Sequence, residues 1–300
     1  MTNGNSLINL GDISKPATVL IEKISDAIGG YFRPYQIRRI AKAEAEADII
    51  KAQAEIEVTD LQRRALVRFV AEEARKQENI EQITQKALPH LKETAKPEGM
   101  ENDWVANFFD KCRIVSDQEM QLLWSKVLAG EANSPGTYSK RTVNFLSSLD
   151  KNDASLFTSL CGFGWFLGYV VPLIFDAHEQ IYKEQGITFD SLTHLDNIGL
   201  VSLNSLTGFK LQGFPKIVTA FYYGSPMNIE FAKETGNDLE IGKVLLTKTA
   251  QQLAHICGSK PVNGFQAYVL KRWASKGLVL TSPYPRIVLD TEQVHPANRP

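Results

Sequence analysis

From Tyr35 to Leu88 the chain contains neither proline nor glycine, and its apolar positions recur at helical intervals. That pattern predicts one long charged helix, occupying the segment 35–96 and stopping before Pro89. At 1.5 Å per residue such a helix would measure about 80 Å, against a radius of gyration of roughly 19 Å for a compact chain of this size. It must therefore bend, protrude or lie against another subunit. Ile40, Ala47, Ala54 and Leu61 keep a heptad interval, as do Ala43 and Ile50, but Glu57, Arg64 and Arg68 interrupt both series. Self-association and packing onto the chain's own body both remain open. Opposite charges four residues apart, at Lys51 and Glu55, Asp60 and Arg64, Arg68 and Glu72, and Glu72 and Lys76, suit an exposed helix.

Ahead of this run, residues 1–34 comprise a polar leader and a short amphipathic helix. Ser14 is placed to cap it, Pro16 falls in its first turn, and Leu20, Ile24, Ala27, Ile28 and Tyr31 share one face. Gly29, Gly30 and Pro34 end it. The junction that follows concentrates Arg33, Arg38, Arg39 and Lys42. Basic groups beside an apolar face fit a helix lying on anionic lipid, and they fit any solvated helix end equally. The candidates for membrane or partner contact are Leu20, Ile24, Ile28, Tyr31, Phe32, Arg33, Arg38, Arg39 and Lys42.

A polar linker with Pro97 and Gly99 opens a helical domain over 97–185. Ser116 and Glu119 form a capping-box pattern ahead of Met120, Leu123, Trp124, Val127 and Leu128, and Gly130 is placed to end that helix. Ser139 can cap the next helix, and Asp150 or Asn152 the one after it. Residues 154–175 contain no charge, which meets the length criterion for a membrane span. Their three glycines, Pro172 and the polar Ser155, Thr158 and Ser159 favour a core helix followed by a buried strand.

Over 186–280 the pattern changes to a helix with Leu192 and Leu195 inward, then alternating runs that read as strands, then helices in "LTKTAQQLAHICG" and "FQAYVLKRWASKG". Thr247 or Thr249 caps the first of these. This order predicts a winged-helix-like α+β domain, with a flexible tail at 281–300. The fold class expected is mainly α: a long N-terminal charged helix, a central helical block and a C-terminal winged-helix-like α+β part.

Charge narrows the uses of that last part. Residues 150–260 hold 8 Lys, 11 Asp or Glu and no Arg, so the residue that best grips phosphate and reads guanine is missing. Nucleic acid is disfavoured, and a protein-binding or structural wing is preferred. Over the whole chain 33 Lys and Arg nearly cancel 34 Asp and Glu, which leaves no global field to attract a polyanion. Three scattered cysteines, Cys112, Cys161 and Cys257, and an N-terminus without the pattern of a secretory signal point to the cytoplasm.

His90, His178, His194, His255 and His295 have no metal-ligand spacing, and the sequence lacks a phosphate loop and a nucleophile elbow. Neither a catalytic, a metal nor a cofactor site is assigned, and the expectation is a protein that is not an enzyme.

Three ordered segments carry a family resemblance: "SKPATVLIEKISDAIGGYFRPYQIRRIAKAEAEA", "NIEQITQKALPHL" and "FFDKCRIVSDQEMQLLWSKVLAGEANSPGTYSKRTVNFLSSLDKNDASLF". They resemble the bacterial domain of unknown function 2806 and the related Abi-alpha proteins of abortive infection and prophages. The resemblance spans most of residues 14–280 and brings no catalytic residues with it. It implies defence against bacteriophage, through a homo-oligomer triggered by a phage structural protein and acting at the inner membrane from the cytoplasmic side. The alternatives are a nucleic-acid-binding regulator and a non-catalytic adaptor, both using the winged-helix-like domain.

Overall fold

The computed structural model describes residues 14–28 and 59–282. Helix takes 52% of these and strand 17%, with several small sheets, so the class is mixed α+β. The chain divides into two compact units, one of residues up to Ser155 with His255–Cys257, the other of Leu156–Ala254 and the residues from Gly258 on.

The first unit is helical. Its elements are α1 (Lys15–Ala27), α2 (Asp60–Ala87), α3 (Asn102–Cys112), α4 (Gln118–Asn133), α5 (Lys140–Ser148) and the start of α6 (Lys151–Cys161), inside which the division falls. Helix α3 presents Trp104, Val105, Phe108, Phe109 and Cys112 to the core. Phe108 meets Trp124 of α4 edge to face, with ring centroids 5.1 Å apart, a geometry that the ring quadrupoles favour. Along α2, Ile83 and Ala87 are fully buried against α4.

Two local readings of α4 change. Asp117, not Ser116, is its N-cap: the carboxylate accepts from the amides of Glu119 and Met120, both at 3.0 Å. Ser116 instead accepts from Asn79 Nδ2. Gly130 does not end the helix, which continues to Asn133. It lies under the ring of Tyr138, where a Cβ would come within 2.6 Å of Cε2, so close approach rather than termination explains the glycine. The caps expected at Ser139 and Asp150 form, accepting from the amides of Thr142 and Asp153.

The second unit is built on a five-stranded antiparallel sheet of order β2-β1-β5-β6-β9, from β1 (Gly164–Phe166), β2 (Val170–Pro172), β5 (Ile217–Tyr222), β6 (Ser225–Glu230) and β9 (Val279–Thr281). Two ribbons accompany it, β3 (Val201–Leu203) with β8 (Val244–Leu246) and β4 (Phe209–Phe214) with β7 (Asn237–Gly242). Its helices are α7 (Gln180–Lys183), α8 (Phe189–Asn197), α9 (Lys248–Ala254) and α10 (Phe265–Ser275). The uncharged run 154–175 is thus a helix followed by a hairpin, not by a single strand, and no helix among the described residues is long and apolar enough to cross a membrane. Strand β9 includes Thr281, which the sequence places in the tail.

An aromatic core holds this unit together. Trp165 packs edge to face on Trp273 at 5.0 Å and stacks on Tyr222 at 5.3 Å. Phe163 meets Phe265 at 4.8 Å. Tyr182 is fully buried and donates its hydroxyl to Leu173 O at 2.8 Å, and burial drives its phenol far above the ordinary value. At Gly242, φ is 97° and a Cβ would collide with the carbonyl of Ile174, whose oxygen accepts from Lys243 N at 2.7 Å. Only glycine allows the two backbones to come that close.

Candidate functional site

Every residue from Thr59 to Arg75 is exposed, although the helix they begin runs on into the core of the first unit. The four-turn stretch at the start of α2 is therefore an arm, and its surface is the leading candidate for function.

The arm has a built start. Thr59 Oγ1 accepts from Gln62 N at 3.4 Å while Gln62 Oε1 accepts from Thr59 N at 3.0 Å, closing a reciprocal capping box. At Thr59 the backbone is extended, with φ −57° and ψ 153°. The described helix thus starts after Thr59, since a residue with those angles cannot continue an α-helix, and the part of the expected Tyr35–Leu88 helix over 35–58 lies outside the described residues. The signal was in the sequence: Thr59-Asp60-Leu61-Gln62 is the capping-box pattern.

Exposed apolar side chains cover the arm. Leu61 is 69% exposed, Phe69 61% and Val67 59%, with Leu66 and Val70 less so. At about 100° per residue, Leu61, Ala65 and Phe69 fall on the same meridian as Ile80, Ile83 and Ala87, which are buried further along. Val67, Val70, Ala71 and Ala74 gather on the opposite side. The arm therefore offers two apolar faces, one continuous with the stripe that the body covers.

Ion pairs mark where arm becomes body. There Lys76 Nζ lies 2.9 Å from Glu72 and 2.8 Å from Glu73, whereas Arg64, 3.6 Å from Asp60, is paired at the exposed start of the arm. The hydrogen bond from Lys76 holds the Glu72 carboxyl below its ordinary value, and Glu72 turns to Lys76 rather than to Arg68. One turn on, a buried polar seam anchors the helix. Asn79 Nδ2 donates to Arg113 O at 2.9 Å, Gln121 Nε2 donates to Asn79 Oδ1 and Val115 O, and Lys86 Nζ donates to Gln118 and Gln121. Burial lowers the Lys86 ammonium below its ordinary value. Each buried polar group in the seam has a partner, which fixes the base from which the arm leaves.

The residues singled out by sequence for membrane or partner contact are distributed differently. Leu20 and Ile24 are fully buried and Ile28 is half-buried. The apolar face of α1 packs on α3 and on the turn at Pro97–Gly99, so it is not an open surface here: a helix with a core to cover spends its stripe on that core. Tyr31, Phe32, Arg33, Arg38, Arg39 and Lys42 lie outside the described residues.

The second unit carries a shallow cleft of about 460 Å³ between the β5–β6 turn and the residues before α10, lined by Tyr222, Tyr223, Ser225, Asn263 and Gln266 among others. Tyr223 sits at φ 47° followed by Gly224 at 81°, a turn of the type that joins tight hairpins. Its hydroxyl donates to Ser259 Oγ at 2.7 Å, and Tyr222 is pushed up to about 12 by burial. No lining residue is charged at neutral pH. Among the described residues no group of three His, Cys, Asp or Glu is placed to hold a metal ion.

Neither a curated protein nor a solved structure matches this chain. A family description does: "Protein of unknown function (DUF2806)" matches residues 63–270, from the second turn of α2 into α10. That span exceeds half of the chain, and the protein belongs to the DUF2806 family.

Proposed function

We propose that this protein is a non-enzymatic phage-defence factor of the abortive-infection type, which acts by self-assembly through the α2 arm. The observation that carries the reading is the uncovered stretch Thr59–Arg75, with Leu61, Val67 and Phe69 all more than half exposed. Exposed apolar side chains grouped on one helix suit a partner better than they suit water. Two dissimilar faces on opposite sides of one helix favour a heterologous contact, which builds rings or filaments rather than a closed pair. The resemblance to Abi-alpha proteins supplies the defence role and a phage structural protein as trigger.

Membrane perturbation enters as the triggered state. Leu20 and Ile24 reach lipid only if α1 leaves its seat, so the resting protein is cytoplasmic and the activated assembly peripheral at the inner membrane. The winged-helix-like arrangement expected for 186–280 serves as a protein-binding module in this scheme, because residues 150–260 hold 8 Lys against 11 acidic residues and no Arg. A role as passive adaptor shares the arm and lacks the toxicity.

The test pairs solution mass with phage plating. The wild-type chain is expected to form an assembly larger than a dimer and to reduce plaque counts, and Leu61→Glu with Phe69→Glu to abolish both while leaving the fold intact. A wild-type chain that stays monomeric with phage lysate present, or a variant that still protects, overturns the proposal. Protection lost with no leakage from anionic vesicles removes the membrane step and leaves assembly.

A further inference from the structure

The arm carries two apolar rows of equal pitch. Leu61, Ala65 and Phe69 form one. Leu66, Val70 and Ala74, each five residues further on, form the other, about 140° round the helix. All six are exposed. The body takes over the first row: Ile83 and Ala87 continue it and are fully buried against α4. Helix α4 starts beside Asn79, which donates to Arg113 O and Ser116 Oγ just ahead of it, and ends beside His90, whose carbonyl accepts from Asn133 Nδ2. Packed helices need about 8–10 Å between axes. Any helix laid on the first row must therefore stop short of Asn79 or collide with α4.

That limit selects a direction for a second arm. Two rows of the same pitch can match in either sense. In the parallel sense Leu61 meets Leu66 and Phe69 meets Ala74. The second α2 then brings its Thr84–Ala87 level with Asn79–Gln82 of the first, into the space that α4 fills. In the antiparallel sense Leu61 meets Ala74, Ala65 meets Val70 and Phe69 meets Leu66. Thr59 of the second copy then comes level with Lys76 of the first, short of Asn79, and the covered half of its α2 points away. Leu61 on Ala74 and Val70 on Ala65 set larger side chains against smaller ones. The same register brings Arg63 of the second copy level with Glu72 of the first, opposite charges near the middle of the contact.

We propose that the row Leu61, Ala65, Phe69 is covered by the row Leu66, Val70, Ala74 of a second copy's arm, running antiparallel. The inference rests on the assembly reading and names the partner surface. An antiparallel step between unlike rows is a half-turn about an axis close to the direction of stacking, with a translation along that axis. Such a step repeats as a screw and does not close, so the assembly is a filament and not a ring. The test is cross-linking with a short bis-maleimide under the conditions in which the wild type assembles. Single-cysteine chains are co-expressed in pairs in a Cys257→Ser background, Cys112 and Cys161 being buried. Leu61→Cys with Ala74→Cys is expected to give covalent dimers. Leu61→Cys with Leu66→Cys is expected to give none, because antiparallel packing sets those positions of neighbouring copies about 12 Å apart along the helix. Dimers from the second pair, or from neither pair in an assembled sample, overturn the antiparallel contact and leave assembly standing. A closed species of fixed mass also overturns it, and a wild-type chain that stays monomeric overturns both readings. Where a cysteine chain no longer assembles, charge exchange decides. Arg63→Glu alone and Glu72→Arg alone should each lower the assembled fraction severalfold, and the two together should restore it; a double variant as poor as the single ones overturns the inference.

Discussion

Phe69 and Ile80 lie three turns apart on one face of α2, and the first is 61% exposed while the second is 8% exposed. Identical geometry with opposite burial means that the body decides which half of the stripe is covered. Glu substitution should therefore split cleanly between them. Phe69→Glu is expected to leave the stability to denaturant within about 0.5 kcal/mol of wild type. Ile80→Glu should cost several kcal/mol, because a charge enters a dry interface. Urea titration followed by far-ultraviolet dichroism reads both. A large loss from Phe69→Glu, measured on dilute protein, would mean that the arm is covered within one chain.

Ile24 tests the seat of α1. It is fully buried, so Ile24→Asp should destabilise the isolated protein by about 3 kcal/mol or more, with no lipid present. An unchanged melting curve would show that α1 does not rest on α3 in solution.

Gly130 offers a prediction whose sign is informative. Exposed helix interiors gain about 1 kcal/mol from Gly→Ala. Here the added methyl meets the Tyr138 ring at 2.6 Å, and Glu131 holds the adjoining loop by accepting from Gly136 N and Tyr138 N at 2.7 and 2.8 Å. Overpacking at about 1–3 kcal/mol outweighs the propensity gain, so Gly130→Ala should lower stability. A rise in denaturant midpoint would rule out the close packing of Tyr138 on α4.

Glu131 itself predicts a pH effect. Burial pushes its carboxyl above the ordinary 4.5, against the pull of the amides of Tyr138 and Gly136. A raised folded value favours the protonated form, so the contribution of Glu131 to stability is fully present below pH 4.5 and is lost as pH rises through the raised value. Glu131→Gln cannot titrate. The stability of wild type minus that of the variant should fall across this window, measured by denaturant midpoints at successive pH values. Parallel curves would remove Glu131 from the titration.

What the sequence disclosed follows from how each feature is encoded. The helices α8 and α10 and the caps at Ser139 and Thr247 were legible, since Leu192 and Leu195, or a hydroxyl next to an apolar run, are local signals. Strands β1 and β2 were hidden in an uncharged run, where three-residue strands leave too few positions to establish a period. Strand β4 is exposed at half its positions and interrupted by shifts in register, so it has no clean alternation. The helix start at Thr59 was legible and was outweighed by a long run without glycine or proline. The arm as a surface was not: no local pattern separates Phe69 from Ile80, because burial is decided by what packs alongside.

Strand β9 has a consequence for the order of events on the ribosome. The sheet receives its last strand from Val279–Thr281, after the other four strands have been synthesised. At about 5–20 residues per second, β6 waits several seconds as a bare edge, which is the arrangement that recruits strands from other chains. A transcript cut before Val279 would thus yield a sticky product rather than a shortened working protein, and translation arrest late in this message would carry a cost that arrest within the helical unit does not.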